Sequence, residues 1–395
     1  MSYDFLILGS SGIQGKIVAR TLLERRYKLF LTDLYPDESK ALLKGHKSSK
    51  ATYLDVRDIK ATIACIRKIK PKVVINCAEG DYNFQVYQAC LRAKTNVIDL
   101  GSDISPTRKQ LKLHKKFEKA KIIGITGCGS TPGINNIMLK HGAKKFDTIN
   151  SVEAGFVWDS NIKSFVVPFS IGSILYELTD PADYLGNGMF KKIKNSHRKP
   201  KYIRHTPIDR QACFIVSGHA EPYTFWRCFK SKGLKNVRLY GGFPRHSLEV
   251  IKMFIKLGFR NDKKDVSVEY EKKKGKMRFV DVTPLDVLTQ ILKRVKVSKR
   301  YKETEVLWVS IFGKKGNKKL VIKMKCLVRS LKGWENAGCN IDTGITAAIV
   351  AQMIKNKEID KYGSFVPEQI IPEKPFFDYL SHYGMKVFEN ESKVN

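Results

Sequence analysis

Three glycines stand three residues apart near the start of the chain, in the stretch GSSGIQG (residues 9–15). The apolar run before them, Phe5–Leu8, is typical of a buried parallel strand, and the residues after them have helical spacing. Glycines on a strand-to-helix turn let the backbone approach a pyrophosphate at the helix N-terminus. A second apolar run ends at Asp33, eighteen residues after Gly15, where a carboxylate can accept hydrogen bonds from a ribose. This order of elements predicts a dinucleotide site.

Asp33 also bears on which dinucleotide is bound. Its carboxylate repels a 2′-phosphate, and the two residues that follow, Leu34 and Tyr35, carry no cation. We therefore expect NAD as the cofactor, with NADP as the alternative if Lys40 turns toward the ribose.

Two acids and a histidine have types suited to proton transfer or amine binding. Asp99 ends an apolar run at the expected cofactor edge of the sheet. It can pair with a substrate ammonium, relay a proton, or instead cap the helix that starts at Ile104. His219 suits general acid–base catalysis because an imidazole titrates near neutrality, and Glu221 can bind an amine. Alternation places both on one face if the segment is extended; the competing interpretation is a histidine held by structural hydrogen bonds.

Four nearby residues are candidates for holding the rest of a substrate. Thr224 and Arg227 follow Glu221 closely, and an arginine can bind a carboxylate through two parallel hydrogen bonds. Trp158 and Asp159 end a predicted strand, where they can line a cleft or form an ordinary turn.

The elements that must position these residues form two domains. Strand and helix patterns alternate over residues 1–128, which predicts a doubly wound parallel (Rossmann) sheet of the α/β class. Beyond the turn GCGSTPG (127–133), strand-like runs recur without that alternation, which predicts a second α+β domain with a mixed sheet over residues 129–338. Residues 345–354 are apolar on every side and should form a buried helix. We expect residues 339–395 to return to the first domain.

The chain has 395 residues and a formal net charge of +34, and residues 190–330 hold 37 Lys+Arg against 11 Asp+Glu. Such a surface can bind nucleic acid or an acidic ligand. Lysine outnumbers arginine, however, and the basic runs lack interleaved aromatic residues. We therefore expect a solvated surface rather than a nucleic-acid interface.

The cysteines and the hydropathy of the chain argue against several other classes of protein. The 8 cysteines contain no CxxC pair, so neither a metal site nor a disulfide framework is predicted, and reduced thiols favour the cytoplasm. No apolar run is long enough to span a membrane. The first strand begins at once, which leaves no room for a signal peptide.

Five stretches together resemble the saccharopine dehydrogenase-like oxidoreductases, in particular the lysine 6-dehydrogenase type. They are LGSSGIQGKIVARTL, VVINCAEGDYNFQVYQACLRAKTNVIDLGSD, GCGSTPGINNIML, SGHAEPYTF with the following LKNVRLYGGFPRHSLEVIKMFIKLGF, and DTGITAAIVAQMIKNKEIDKYGSFVPEQIIPEKPFFDYLSHYGMKV. The resemblance implies a nicotinamide domain, an inserted substrate and dimerisation domain, and hydride transfer at a carbon that bears nitrogen. Family members act on lysine, saccharopine or carboxylated polyamines. Asp99, His219 or Glu221 would accept the amine proton, and water would hydrolyse the imine.

The resemblance also implies which residues contact the cofactor. They are Gly9, Ser10, Ser11, Gly12, Ile13, Gln14, Gly15, Asp33, Asp55, Val56, Asn76, Cys77 and Ala78. Two positions depart from the family pattern. Thr131 stands where saccharopine-forming members have an acid before the PG dipeptide, which argues against saccharopine itself. Glu79 replaces an apolar residue or proline, and it either faces a substrate amine or is solvated.

Three other interpretations remain open. A short-chain dehydrogenase would need a Tyr-x-x-x-Lys pair, and the only match, Tyr270 and Lys274, lies in a charged run of the second half. A dinucleotide domain joined to a basic domain can also be a non-catalytic regulator or an RNA-associated protein. The third is a family member that binds NAD without turnover.

Overall fold

A computed structural model describes most of the chain. It covers residues 2–101, 103–162, 165–167, 169–273, 276–295, 298 and 300–395. In this part of the chain, every helix falls short of the length and apolar character that a membrane crossing requires.

The first domain is built on a sheet of seven parallel strands. With strands numbered by their order along the chain, their order across the sheet is β17-β6-β5-β4-β1-β2-β3. Short apolar runs form the central strands, Phe5–Leu8, Val73–Asn76 and Asn96–Asp99, because helices cover and bury both faces of the sheet there. The strands are β1 (Phe5–Leu8), β2 (Leu29–Asp33), β3 (Lys50–Tyr53), β4 (Val73–Asn76), β5 (Asn96–Asp99), β6 (Ile123–Ile125) and β17 (Gly363–Phe365). The predicted doubly wound sheet is confirmed.

Helices connect these strands and cover the sheet. They are α1 (Ile13–Glu24), α2 (Asp37–Leu42), α3 (Ile59–Ile69), α4 (Asn83–Ala93), α5 (Ile104–Leu111) and α6 (His114–Lys119). Helix α1 starts directly after the glycine turn, so its free N–H groups point toward the carboxyl edge of the sheet.

The second domain contains a ten-stranded mixed sheet, as predicted. Its strands are β7 (Thr148–Ser160), β8 (Ala182–Gly186), β9 (Met189–Ile193), β10 (Lys201–His205), β11 (Ile208–Ile215), β12 (Asn236–Gly242), β15 (Glu303–Lys315), β16 (Lys318–Arg329), β18 (Lys386–Glu389) and β19 (Ser392–Lys393). Strands β7 and β12 are parallel, while β7, β15 and β16 are antiparallel neighbours. A separate hairpin consists of β13 (Val266–Lys273) and β14 (Lys276–Val282).

The remaining helices surround this sheet or return to the first one. They are α7 (Ile134–Ala143), α8 (Ile171–Thr179), α9 (Glu221–Phe229), α10 (Arg245–Lys256), α11 (Pro284–Leu292), α12 (Ile341–Lys355), α13 (Pro367–Ile370) and α14 (Glu373–Ser381). Short 3₁₀ turns occupy Gly80–Tyr82, Asn195–His197, Lys230–Lys232 and Glu335–Asn340.

Helix α12 is buried on every side along most of its length. It packs so closely on α1 that a Cβ on Gly344 would lie 2.5 Å from Cγ2 of Ile17. Strand β17 then adds to the edge of β6, with Gly363 opposite Ile123. Two late segments of the chain thus complete the first sheet and its helical layer.

The tyrosine–lysine pair of the short-chain dehydrogenase alternative falls in the β13–β14 hairpin. Tyr270 belongs to β13, whereas Lys274 lies outside the described residues. Parts of the basic runs 271–278 and 293–302 lie outside them as well.

Candidate active site

The glycine turn leaves room for a dinucleotide. Gly9 has a φ of +75°, and a Cβ there would lie 2.7 Å from the backbone nitrogen of Ala78. Gly12 faces open space, because its nearest neighbour for a Cβ is the Gly9 carbonyl oxygen at 3.4 Å. The first N–H groups of α1, which begins at Ile13, have no intrahelical partners. This cradle fits a pyrophosphate.

Asp33 holds the same turn in place. Its carboxylate accepts hydrogen bonds from the backbone N–H of Ser11 at 2.9 Å and of Tyr35 at 3.0 Å. The Ser10 hydroxyl donates to the Thr32 carbonyl oxygen at 3.1 Å. The serines therefore tie the turn to β2. Asp33 remains half-buried at the strand tip, with lone pairs free for ribose hydroxyls.

The other predicted cofactor residues lie at the tips of β3 and β4. Asp55 forms an ion pair with Arg57 at 2.7 Å, and the half-buried Val56 follows it. Asn76 is fully buried, and its amide donates to Asn83 at 2.7 Å. Asn76 thus shapes the turn, while its neighbour Cys77 lines the cleft.

A cleft extends from the glycine turn into the second domain and has two parts. The inner cavity, of about 380 Å³, is lined by the Gly12–Gln14 turn and by acids and aromatic rings of the second domain. The outer cavity, of about 510 Å³, reaches to Glu79 and Arg260. Residues shared by both parts are Thr131, Ser170, Ser173, Glu177 and His219.

His219 lies where the two cavities meet, between two carboxylates. Its Nε2 is 3.5 Å from Glu177, and its Nδ1 is 3.7 Å from Glu221. Burial lowers the pKa of His219, but the charges of Glu221 and Glu177 and their hydrogen bonds outweigh burial and raise it to about 10. His219 is therefore an imidazolium at neutral pH.

Two more acids face the inner cavity beside the glycine turn. Glu305 of β15 and Asp342 of α12 are in hydrogen-bonding contact with each other. Burial, followed by the neighbouring charges, raises the pKa of Glu305, and burial also raises the pKa of Asp342. Such a pair holds one proton between two carboxyl groups near neutrality.

The catalytic roles expected for Glu221 and Asp99 are not supported by their positions. Glu221 is fully buried behind His219 and begins a helix, so the segment does not meet the condition, an extended backbone, under which both side chains would share one face. Asp99 is fully buried and accepts hydrogen bonds from Thr126 and the backbone of Gly127 and Gly101. Neither is among the described lining of the cleft.

The structure separates the predicted substrate residues into two groups. Trp158 lines the inner cavity, Glu79 lines the outer one, and Thr131 lines both. Arg227 is exposed on α9 and is not part of the described cleft lining, so it cannot clamp a carboxylate there. Thr224 is buried against Asn136, which donates to it at 3.4 Å. Asp159 is the last residue but one of β7 and accepts a hydrogen bond from the Ser160 backbone N–H at 2.7 Å.

Sequence reasoning missed several cleft residues, among them Glu177, Arg260, Glu305 and Asp342. A signal existed for two of these four. Glu305 lies directly before the apolar run of β15, and Asp342 opens an otherwise apolar helix. A charged residue in such a position needs a partner or a function. Glu177 and Arg260 carry no comparable signal.

We expect Gly12→Asp to abolish dinucleotide binding without unfolding the protein. The new side chain enters the open space where the pyrophosphate fits, and its charge repels phosphate. The dissociation constant for NAD or NADP should rise at least about 100-fold, or about 2.7 kcal/mol, as measured by calorimetry. Gly12→Ala, which adds bulk without charge, should weaken dinucleotide binding less than Gly12→Asp does. Unchanged affinity in Gly12→Asp with an unchanged melting temperature would contradict the site.

His219 should give the protein a pH-dependent stability. Because the folded state raises its pKa from 6.5 to about 10, its contribution is complete below pH 6.5 and is lost as pH rises through 10. The free energy of unfolding of the wild type should therefore fall relative to His219→Gln above pH 7, by up to about 1.4 kcal/mol per pH unit. Urea unfolding from pH 7 to 9 measures this, with the exposed His382→Gln as control. Parallel profiles for wild type and His219→Gln would refute the raised pKa.

Both domains of this chain match models of domains from the same protein family. Residues 5–125 match the saccharopine dehydrogenase NADP binding domain, and residues 129–385 match the saccharopine dehydrogenase C-terminal domain. The apo histidine-tagged saccharopine dehydrogenase (L-Glu forming) from Saccharomyces cerevisiae has the same fold, with a TM-score of 0.73 and 16% identity over 100% of both chains.

Two curated relatives are carboxynorspermidine synthases. That of Vibrio cholerae is 23% identical over 86% of this chain and 82% of its own. That of Vibrio alginolyticus is 26% identical over 37% of this chain, and the alignment spans 38% of its own length. A third relative, the carboxyaminopropylagmatine dehydrogenase of a Synechocystis species, is 22% identical over 40% of this chain and 42% of its own. The chain therefore belongs to the saccharopine dehydrogenase family of NAD(P)-dependent oxidoreductases, whose members act on amines of amino acids and their derivatives.

Proposed function

We propose that this protein transfers hydride between a nicotinamide dinucleotide and the nitrogen-bearing carbon of a carboxylated polyamine. The observation that carries the proposal is the charge of the inner cavity. Glu177 and the Glu305–Asp342 pair, which holds one proton, line it against a single cation, His219. Its described lining contains no lysine or arginine, in a chain with 72 of them. Such a cavity attracts a cationic amine and repels a carboxylate.

The outer cavity contains the one arginine of the described cleft lining, beside the acids Glu79, Asp81, Asp103 and Glu177. Arg260 lines it, 3.1 Å from Asp180, with its guanidinium 5.5 Å from the ring centre of Tyr176. We assign to Arg260 the carboxylate role that sequence reasoning gave to Arg227, since a guanidinium can bind a carboxylate through two hydrogen bonds. A ligand with an amine in the inner cavity and a carboxylate in the outer one fits both parts of the cleft.

Names of the relatives support this ligand class, because carboxynorspermidine and carboxyaminopropylagmatine both denote carboxylated amines. Aromatic side chains can pack against the methylene chain of such a ligand. Phe156, Trp158 and Phe169 line the inner cavity and offer that surface. Lysine, the substrate implied by a lysine 6-dehydrogenase type, remains the competing choice within the same cleft.

Proton handling falls to the Glu305–Asp342 pair. The bound nicotinamide supplies the hydride acceptor or donor. Asp342, whose pKa is raised by burial, can take the proton from a substrate ammonium at neutral pH. His219 is already protonated, so it cannot act as the base; it orients Glu177 and can donate a proton to a departing nitrogen. Asp342 and Glu305 thus take over the base role expected of Asp99, His219 or Glu221.

The choice between NAD and NADP remains a proposal. Asp33 at the tip of β2 favours NAD, because its carboxylate repels a 2′-phosphate. We also propose that the protein works in the cytoplasm, for which the 8 free cysteines are the support. A non-catalytic regulator or a nucleic-acid-associated protein is not favoured for this family member.

The proposed activity predicts a specific substrate order. With purified protein, nicotinamide absorbance should change with carboxynorspermidine and more weakly, or not at all, with L-lysine and saccharopine.

Asp342→Asn should lower kcat about 100-fold or more, the usual contribution of general acid–base catalysis. Arg260→Lys should instead raise KM about tenfold, since it removes the bidentate contact.

The exposed Asp378→Asn on α14 is the matched control and should leave kcat unchanged. A signal with lysine that exceeds the signal with carboxynorspermidine would overturn the substrate class. A full kcat in Asp342→Asn would overturn the assignment of the base.

We also propose that the second domain forms a homodimer through the β13–β14 hairpin. Val266, Val268, Phe279 and Val280 are exposed on it, and an isolated two-stranded hairpin is marginally stable in water. Light scattering should give the mass of a dimer, and Phe279→Lys should shift it to the monomer. A monomeric wild type at about micromolar concentration would contradict the proposal.

A further inference from the structure

A further cavity, separate from the inner and outer cavities of the cleft, lies on the other face of the second sheet. Strand β10 is four strands away from β15 in the sheet order, yet the ring of His205 on β10 stacks on Trp308 of β15 at 4.7 Å. The sheet must therefore curl strongly to bring them together. The curl encloses a cavity of about 390 Å³, within the usual range of small-molecule sites, and we call it the sheet cavity.

The sheet cavity shares no described lining residue with the cleft. Strand β15 nevertheless contributes to both, because alternate side chains point to opposite faces. Glu305 faces the inner cavity, and Trp308, Ser310 and Phe312 face the sheet cavity.

Cations outnumber anions around the sheet cavity. Lys201, Arg204, Lys323 and Lys325 line it, against Glu153 and Glu391, so the lining carries a net charge of +2 (4 − 2). Lys201 pairs with Glu153 and Lys325 with Glu391. Lys323 has no ion-pair partner among the residues that the structure describes.

Two ring nitrogens in the lining have no hydrogen-bond partner among the described residues. The indole N–H of Trp308 and Nε2 of His205 are both buried, and Trp308 as a whole is 2% exposed. A buried donor without an acceptor is costly, and a ligand oxygen would satisfy it. Burial and the nearby ammonium groups of Lys325 and Lys323 lower the pKa of His205 to about 4, which agrees with a positive local field.

The rest of the wall is apolar. Ile203 and Phe312 line the sheet cavity with apolar side chains, while Met324, which pairs with Val309, turns its side chain to the other face of the sheet. A ligand that suits it has an anionic end and an apolar body. A phosphomonoester carries a charge of nearly −2 at neutral pH and would neutralise the lining.

We propose that the sheet cavity binds a small phosphomonoester with an apolar or aromatic body. Its phosphate contacts Lys323 and the Trp308 N–H, and its body packs on Ile203 and Phe312. This site is independent of the proposed reaction, since it lies behind the cleft.

Phenyl phosphate is the probe, because it joins a phosphate dianion to one aromatic ring. Calorimetric titration at fixed ionic strength, with NAD, which has no phosphomonoester, present in excess to fill the dinucleotide site, should show one saturable site with a dissociation constant below about 1 mM. Inorganic phosphate and benzyl alcohol, which each carry half of the ligand, should bind at least about tenfold more weakly. Equal affinity for inorganic phosphate would overturn the role of the apolar wall.

Variants locate the binding. Lys323→Gln should weaken the binding of phenyl phosphate at least about fivefold, because one phosphate contact is lost. Lys319→Gln, an exposed lysine on the same strand outside the cavity, should leave binding unchanged. Trp308→Phe keeps the apolar ring and removes the N–H, and it should also weaken binding. No saturable heat in the wild type, or equal affinity in Lys323→Gln and Lys319→Gln, would overturn the proposal.

Discussion

The cleft depends on a buried carboxylate that never touches it. Asp99 is fully buried, and its side chain accepts hydrogen bonds from the Gly101 and Gly127 backbones at 2.8 and 3.0 Å and from Thr126 at 2.9 Å. Its carbonyl oxygen accepts from the Cys128 N–H at 2.8 Å. A carboxyl group without these donors would be costly to bury, so the donors and the acid fix one another. The chain is thereby held where it leaves the first sheet, which sets the position of the turn that carries Thr131.

Sequence patterns predicted the elements that apolar runs define. The strand before Gly9 and the buried helix α12 follow from their composition. Strand β17 could not be predicted in the same way, because Gly363–Phe365 has no apolar run and exists through pairing with β6. His219 and Glu221 would share one face only on an extended segment, but α9 starts at Glu221 and turns it behind the imidazole. Local pattern thus identified strands that apolar runs form, and tertiary contacts decided which side chains reach the cleft.

The sign of the charge differs between the whole chain, which is strongly basic, and the inner cavity of the cleft, where acids predominate. The whole chain carries +34, while the inner cavity is lined by carboxylates. At physiological salt, exposed charges are screened beyond about 8 Å, so distant lysines exert little repulsion inside the cleft. Ligand choice is therefore set by the few groups that line the cavity.

The return of the C-terminal segment has a consequence for how the protein is made. Ile123 pairs with Gly363, which is encoded 240 residues later (363 − 123). On the ribosome, the first 125 residues therefore emerge with the β6 edge unpaired and without the cover of α12. An unpaired edge is a template for association with other chains. Chains that stop before residues 341–365 would be prone to aggregate, and nascent chains need protection of this edge until those residues have been synthesised.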